Sequence, residues 1–440
     1  MKLSRFFICL ILCATIFRLG IILLNLQLPQ NPDVQRYKEW AEISYKYGFS
    51  NTYTKNHIAF GVFENNQPPG SVYILTLAYV TGLFVKDTIY PFFSHDTTTF
   101  FFLRLPALLG DVGIGTLIYL FIRRYSSEKY ALTGSTIFLF TPAIWYNSAV
   151  WGQMDSVNNF FFVLALYLLY TKRRLLSTLS YTSSCFIKLS LLPVLPIIVL
   201  LIVKKVSSLT KAFFYAASAL CFLFIATVPV SLNPFWLITY FLKYSGGEMQ
   251  NITCFAFNFW WVVLMPGVVE STVYSQQQSL GYGDLTGSPH KLSPLLLFDL
   301  STWGYILFAL FLFPLLYILI KEKKEHMQLE VNVIATCLLL TFMFLPGMHD
   351  RYLYPVVPVL ALLAGYGKKY IYLLLFFSIS NFLNIYIVWH LPEFTFLPKD
   401  IIYNQTLQWF LSVLVLGGGI LWYIDTIKPY VKKYFLFYKA

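Results

Sequence analysis

Residues 4–27, SRFFICLILCATIFRLGIILLNLQ, form a long and almost uninterrupted apolar run. A bilayer crossing needs about 20 consecutive apolar residues, and this run supplies them behind the basic residues Lys2 and Arg5. No A-x-A cleavage site follows, so we predict a retained first helix and not a removed signal peptide. The whole chain shares this character, because 58% of its 440 residues are hydrophobic and only 12% are charged. Such a composition excludes a soluble multidomain protein.

Further apolar segments predict more crossings along the chain. The stretch 156–203 is divided by basic residues at 172–174 and is followed by a lysine pair. These two clusters share a side only if two crossings fit between them, as a tight hairpin turning near Lys188 and Pro193. We therefore predict an all-α polytopic membrane protein with about 12 transmembrane helices, roughly 11–13. Besides 4–27, the segments outside this stretch are 100–122, 130–148, 211–231, 295–320, 329–346, 352–367, 369–389 and 404–424.

Basic residues set the orientation of these helices. The net charge is +12, and lysines and arginines form short clusters between apolar runs, which is typical of cytoplasmic loops. Residues 71–85 are apolar too, but a crossing there would put Arg123 and Arg124 on the opposite side from every other basic cluster. We therefore predict that 71–95 forms interfacial helix in or on the membrane surface, within a long first outer loop 28–99.

The crossings define a single membrane domain, 1–440, in the cytoplasmic membrane with both termini inside. A second long outer loop covers 232–294 and contains Asn258-Phe259-Trp260-Trp261, then a polar run at 275–291. Long ordered loops on one face of a membrane protein often carry its function. We therefore expect the active site on the extracytoplasmic side.

Unusual polar residues collect at this predicted outer face. Asp33 follows the first helix, residues 147–155 join the third and fourth crossings, and His349-Asp350-Arg351-Tyr352 forms a turn between the ninth and tenth. Arginine is well suited to bind phosphate through two parallel hydrogen bonds, and a neighbouring histidine adds a donor. Asp111 and Lys188 lie at membrane depth, where ionisable groups cost several kcal/mol unless they are paired or hydrated.

Structural roles remain open for several of these residues. Asp33 could cap a surface helix. Asp111 could pair with Arg104, seven residues earlier, and Lys188 could extend its ammonium group outward to water. We interpret Arg18, deep in the first helix, as a structural partner of an inward carboxylate or as a snorkelling side chain.

Short motifs occur in a fixed order along nearly the whole chain. The Trp151-Gly152-Gln153 stretch and the His-acid-Arg-Tyr turn are specific signals, whereas the proline pair alone is weak. The stretches are Asn31-Pro32-Asp33-Val34, Tyr37-Lys38-Glu39-Trp40-Ala41, Pro68-Pro69-Gly70, Arg104-Leu105-Pro106 with Asp111, residues 146–155, Lys188, Asn258-Phe259-Trp260 and residues 349–355. In these motifs the sequence resembles the GT-C superfamily of integral-membrane glycosyltransferases, and within it the bacterial relatives of the Gpi18-type GPI mannosyltransferases.

The resemblance implies a GT-C-like fold and an inverting glycosyltransferase, mannosyltransferase-like, that takes a sugar from a polyprenyl-phosphate donor. The acceptor is a glycan, a lipid or a protein; membrane lipid is a partner and nucleic acid is not. Asp33 is implied as the general base on the acceptor hydroxyl, facing Arg351 across a shared outer pocket. The implied donor-binding and acceptor-binding residues are Asp111, Asn147, Gln153, Asp155, Lys188, His349, Asp350, Arg351 and Tyr352.

The sequence departs from the family pattern in two places. Asn66-Gln67 stand where an acidic residue often precedes the proline pair, so a second carboxylate is missing from the first loop unless Glu64 replaces it. Asp350 stands where glutamate is usual. No His/Cys cluster or carboxylate pair occurs at ligand spacing, so we predict no required metal or other cofactor and leave a divalent cation open.

Two other functions remain as alternatives. A flippase or transporter of lipid-linked glycans needs charged residues along a path open to both faces, whereas the unusual polar groups here lie at one face. A surface-glycan polymerase or ligase uses a diphosphate-linked donor and commonly places several arginines in one large outer loop. Residues 232–294 hold Lys243 and Lys291 but no arginine.

Overall fold

The computed structural model describes residues 4–54, 65–89, 94–206, 208–245, 252–268, 300–398, 401 and 403–435. These residues fold almost entirely into helices, and the predicted all-α polytopic membrane class is confirmed. The helices are α1 Arg5–Asn25, α2 Pro32–Tyr47, α3 Pro69–Ile89, α4 His95–Ile122, α5 Glu128–Phe140, α6 Pro142–Trp145, α7 Asp155–Tyr170, α8 Arg174–Ile187, α9 Leu195–Lys205, α10 Leu209–Thr227, α11 Trp236–Ser245, α12 Phe259–Val268, α13 Leu300–Lys321, α14 Met327–Phe344, α15 Val356–Leu363, α16 Lys368–Val388 and α17 Gln405–Tyr430.

Eight helices in the described ranges are long and apolar enough to cross a membrane. Seven of them, α1, α4, α10, α13, α14, α16 and α17, coincide with predicted crossings. The eighth is Pro69–Lys86 in α3, whose mean hydropathy of 1.2 is the lowest of the eight. Its length and composition suit a span, whereas the charge bias favours the membrane surface, so its interfacial placement stays a prediction.

The other five predicted crossings form short or interrupted helices. Segment 130–148 divides into α5, α6 and a π-helical turn, Tyr146–Trp151. The division falls at Pro142, because a proline pushes the preceding residue out of the helical region, and Thr141 is extended at φ −66° and ψ 133°. In 156–203, the 3₁₀ turn Leu189–Val194 joins α8 to α9 where the sequence predicts a hairpin turn.

The chain divides into two compact units. Unit 1 comprises Met1–Leu192 and Ile202–Glu248, and unit 2 comprises Pro193–Leu201 and Met249–Ala440. In unit 1, α7 packs against α4 and α8, and α3 packs against α2 and α4.

The core of unit 1 fixes helix α2. Tyr37 and Trp40 lie one turn apart on its inner face and pack with Leu75, Tyr79 and Leu103 of α3 and α4. Each such buried side chain contributes about 2 kcal/mol through the hydrophobic effect. The first turn of α2, which carries Asp33, therefore rests on a rigid support.

Unit 2 is built around α14, which is buried over 89% of its spanning window. It packs against α13, α15 and α17. The amide of Asn332 on α14 donates to Thr426 Oγ1 at 2.8 Å and accepts from Trp422 Nε1 at 3.0 Å, so its polar atoms are paired inside the unit.

Two short strands add the only sheet in the described part of unit 2. β1, Thr253–Cys254, pairs in parallel with β2, Met348–His349, in the register Cys254 with His349. The segment 232–294, predicted as the second outer loop, contains α11, β1 and α12 where it is described. Its polar run at 275–291, and Glu64 of the first loop, lie outside the described residues.

Candidate active site

Asp33 lies in the first turn of α2, just after α1. Pro32 occupies the first helical position, and Asn31 caps the helix by accepting from the Asp33 backbone N–H at 2.8 Å. A cap needs a side chain in extended backbone just before the helix, and here that residue is asparagine. The interpretation of Asp33 as the helix cap is therefore wrong, and its carboxylate is available for other contacts.

The Asp33 carboxylate is held from one side by two neutral donors. Its Oδ2 accepts from Trp151 Nε1 at 3.1 Å and from Gln153 Nε2 at 2.5 Å. Its Oδ1 lies 3.6 Å from Nη1 of Arg36, one turn further along α2. The side chain keeps 23% of its surface exposed, so a substrate hydroxyl can reach it.

A sharp turn presents Trp151 and Gln153 to this carboxylate. The π-helical turn ends at Trp151, Gly152 follows in the left-handed region at φ 83°, and the Gln153 N–H donates to the Asn147 carbonyl at 2.9 Å. A π-helical turn inside a helical segment often marks a functional site. The sequence motif therefore encodes a backbone shape that aims two side chains at Asp33.

A buried arginine on α4 supports the turn through hydrogen bonds. Arg104 donates through Nη2 to the Val150 carbonyl at 3.2 Å and to Gln30 Oε1 at 2.7 Å, and Asn25 Nδ2 donates to the same carbonyl at 2.9 Å. Gln30 belongs to the loop between α1 and α2. Arg104 thus connects the loop that carries Asp33 to the turn that holds its carboxylate.

Gly152 is required by both conformation and space. A Cβ there would lie 2.5 Å from Val34 Cγ2, in a backbone conformation that L side chains rarely adopt. We expect Gly152→Ala to destabilise the protein by about 2–4 kcal/mol, from backbone strain plus overpacking. Gly347→Ala is the control, because Gly347 also has a positive φ, 70°, but a Cβ there would have nothing within 4 Å. Unfolding in detergent measures both variants, and equal losses would show that the contact with Val34 costs nothing.

A second, buried group lies beside this turn. Lys188 Nζ is 2.5 Å from Asp155 Oδ1, and Asn147 Nδ2 donates to Asp155 Oδ2 at 3.3 Å. The side chains of Lys188 and Asp155 are only 6% and 2% exposed. Lys188 therefore does not extend outward to water: it compensates a buried carboxylate. The predicted roles of these residues in substrate binding stay predictions.

Asp111 forms the third polar group of unit 1. Arg18 Nε lies 2.9 Å from its Oδ2, and both side chains are fully buried. Ser148 donates to Oδ2 at 2.6 Å and Ser156 donates to Oδ1 at 2.5 Å. The Asp111 carboxylate pairs with Arg18 and not with Arg104. Arg18 is therefore a structural partner of an inward carboxylate, which is one of the two roles expected for it, and does not snorkel. This geometry favours a structural role for Asp111, and its predicted role in substrate binding stays a prediction.

The remaining predicted site residues, 349–352, lie in unit 2, in the turn that begins at the end of β2. Arg351 Nη1 lies 3.6 Å from Asp350 Oδ1, with side-chain exposures of 15% and 2%. The rings of His349 and Tyr352 meet edge to face, with centroids 5.2 Å apart. The turn thus holds the guanidinium beside Asp350 and the imidazole beside Tyr352, and the predicted role of these residues in donor binding stays a prediction.

The Asn-Phe-Trp motif holds this turn through the backbone. Asn258 Nδ2 donates to the Phe342 carbonyl at 3.2 Å, and Trp260 Nε1 donates to the Phe344 carbonyl at 2.8 Å. Asn258 Oδ1 also accepts from the Trp261 N–H at 3.1 Å, in the manner of a helix cap. The motif therefore fixes the end of α14, from which the His349 turn continues.

The sequence candidates omit three residues at the site: Tyr37, Arg36 and Trp151. Tyr37 OH donates to Gln153 Oε1 at 2.8 Å. Tyr37 and Arg36 follow Asp33 by four and three residues, so they share its helix face, and that spacing was the available signal. In the described residues no group of three His, Cys, Asp or Glu side chains is arranged to hold a metal ion, and metal independence stays a prediction.

A comparison of structures, and not of sequences, finds a similar protein. No protein-family model and no curated protein matches the sequence. The solved structure of ArnT from Cupriavidus metallidurans bound to undecaprenyl phosphate is similar to this chain, with 14% identity and a TM-score of 0.49. The match covers 98% of this chain and 81% of that one. Neither the fold described above nor the function proposed below rests on this likeness.

Proposed function

We propose that the chain is an inverting glycosyltransferase of the GT-C type that transfers a sugar, mannose-like, from a polyprenyl-phosphate donor to an acceptor hydroxyl. The acceptor is a glycan, a lipid or a protein. The observation that carries the proposal is the environment of Asp33, whose carboxylate is oriented by two neutral donors and is 23% exposed. Asp155 and Asp111 are buried against Lys188 and Arg18, so Asp33 is the most exposed of these three carboxylates.

The chemistry needs one base and one stabilised leaving group. Asp33 takes the proton of the acceptor hydroxyl as its oxygen attacks the anomeric carbon. The bond from that carbon to the phosphate oxygen breaks with its electron pair going to the phosphate, and the anomeric configuration inverts. The leaving group is a lipid phosphate, which needs little proton donation. In this scheme Arg351 and His349 stabilise its charge.

Arg351 and Asp33 belong to different units, and their meeting in one pocket stays a prediction. Membrane-impermeant thiol reagents applied to intact cells test the proposed sidedness. Cysteines introduced at 33 and 351, in an otherwise cysteine-free chain, should both be labelled from outside, and labelling of only one of them would remove the shared site.

We expect Arg351→Ala to weaken donor binding by roughly tenfold or more, because a hydrogen-bonded charge pair with phosphate is worth about 1.5–3 kcal/mol. The donor affinity of Arg351→Lys should lie between those of wild type and Arg351→Ala, since lysine keeps the charge but lacks the planar guanidinium that binds phosphate through two hydrogen bonds. Equilibrium binding of a labelled polyprenyl-phosphate sugar to purified protein measures the change. Lys369→Ala is the control, because Lys369 pairs with Asp425 and is half exposed. Unchanged donor affinity in the alanine variant would remove Arg351 from the phosphate site.

The proposed function is tested by purified protein offered several polyprenyl-phosphate sugars together with candidate acceptors, followed by product analysis. A new glycosidic bond of inverted configuration supports the proposal. A protein that only moved a lipid-linked sugar across the bilayer would form no such bond, and a ligase would require a diphosphate-linked donor.

A further inference from the structure

Asp33 has two carboxylate oxygens in different surroundings. Both neutral donors, Trp151 Nε1 and Gln153 Nε2, bind Oδ2, whereas Oδ1 lies towards the half-buried guanidinium of Arg36. Two donors on one oxygen fix the rotation of the carboxylate about its Cβ–Cγ bond. The oxygens are therefore not equivalent: Oδ2 is bound to the turn, and Oδ1 lies on the side of Arg36.

The contact from Gln153 depends on which way its amide faces. A glutamine amide presents a donor on one side and an acceptor on the other, and a half-turn exchanges them. In the opposite orientation an oxygen would face Asp33 Oδ2, where two acceptors repel each other. The carboxylate, which can only accept, therefore selects the orientation in which Nε2 faces it, and a donor on Oε1 reinforces that orientation.

Tyr37 supplies that donor. Its hydroxyl donates to Gln153 Oε1 at 2.8 Å, which ties the amide oxygen away from Asp33 and leaves Nε2 to donate. Tyr37 is 3% exposed and packs in the core between α2 and α3, so its ring cannot easily move. Asp33 and Tyr37 lie one turn apart on the same helix, and the chain of contacts runs from Tyr37 through Gln153 back to Asp33.

We infer that Tyr37 is a positioning residue for the base: it orients the Gln153 amide, which with Trp151 holds Asp33 Oδ2 and turns Oδ1 towards the acceptor hydroxyl. This inference rests on the proposed function for its catalytic part. Its structural part, the coupling of Tyr37 to Asp33 through Gln153, holds independently of which reaction the protein performs.

The test uses Tyr37→Phe, which removes one hydroxyl and keeps the ring in the core. Tyr79→Phe is the matched control: Tyr79 packs in the same cluster, is also 3% exposed, and its hydroxyl makes no hydrogen bond among the described residues. With an active donor and acceptor, Tyr37→Phe should lower kcat roughly tenfold, because the loss of one hydrogen bond corresponds to about that factor. The KM for the donor should stay within about twofold. Tyr79→Phe should leave both constants unchanged.

A double-mutant cycle separates positioning from loss of stability. In a Gln153→Ala background, Tyr37→Phe should lower kcat no further, because the amide through which it acts is gone. Equal effects of Tyr37→Phe with and without Gln153 would overturn the inference, and so would a KM change without a kcat change.

A readout without turnover distinguishes failure of this inference from failure of the proposed function. Asp33 in the full-length protein is modified with a water-soluble carbodiimide and glycine ethyl ester, and the modified peptide is quantified by mass spectrometry. We expect Tyr37→Phe and Gln153→Ala to speed modification of Asp33 by a similar factor, roughly threefold to tenfold for one lost hydrogen bond, and Tyr79→Phe to match wild type. Rates equal to wild type in Tyr37→Phe would overturn the coupling. If no polyprenyl-phosphate sugar is turned over while these rates respond as expected, the proposed function fails and the coupling stands.

Discussion

Asp33→Asn should reduce glycosyl transfer by roughly 10³-fold, because a general base contributes about 10²–10⁴ to the rate and an amide cannot accept the acceptor's proton. Asparagine has the same shape, so its side-chain oxygen can still accept from Trp151 and Gln153 as the Asp33 Oδ2 does now. The fold and the affinity for the donor should therefore be retained. Steady-state transfer, donor binding and unfolding of the purified variant measure the three quantities.

Asp96→Asn is the matched control for this experiment. Asp96 is also a carboxylate of unit 1, but its side chain is 63% exposed and pairs with Lys38. Loss of a single exposed ion pair changes little, so its transfer rate should equal that of wild type. Wild-type turnover in Asp33→Asn would remove Asp33 as the base, whatever the control does.

The second large effect concerns stability. We expect Asp111→Ala to destabilise unit 1 by about 3–5 kcal/mol, because it leaves the guanidinium of Arg18 buried without its counter-charge. Both partners are fully inaccessible, and Ser148 and Ser156 would also lose their acceptor. Removing both charges in Arg18→Met with Asp111→Leu should recover much of the loss, since two apolar side chains can fill the space that the pair occupies.

Thermal unfolding in one detergent compares wild type, Asp111→Ala, the double variant and one control. Lys46→Ala is the control for an ion pair at the surface, because Lys46 pairs with Glu42 at the exposed end of α2, and its unfolding should match wild type. A double variant less stable than Asp111→Ala would contradict the assignment of the loss to an uncompensated charge.

The membrane class could be predicted from the sequence because composition and charge clustering report on it directly. The sequence also singles out the residues that meet at the candidate base, because Asp33 directly follows the first helix and Trp151-Gly152-Gln153 is a specific motif, but their role in catalysis stays a prediction. Apolar runs do not show where a helix breaks inside a run. Segment 130–148 therefore was expected as one crossing, although Pro142 and the π-helical turn divide it.

The partners of buried charges could not be predicted for a different reason. Asp111 and Arg18 are 93 residues apart, and the sequence offers Arg104 on the same helix as a nearer candidate. Which faces of two helices meet depends on packing of the whole unit, which periodicity does not record. The same holds for Lys188 and Asp155, which are 33 residues apart in sequence, and for Tyr37, whose effect on Asp33 passes through a residue 116 positions away.

The enclosure of α14 has a consequence for biogenesis. Helices leave the ribosome in order, so α14 enters the bilayer before α15 and α17 have been translated. Until then the Asn332 amide lacks the partners that satisfy it in the folded unit, because Trp422 and Thr426 lie about 90 residues later in the chain. The nascent chain therefore passes through a stage in which a polar side chain of α14 is without these partners, and synthesis of α17 ends it. Maturation of unit 2 thus depends on α17 as well as on the helices that precede it.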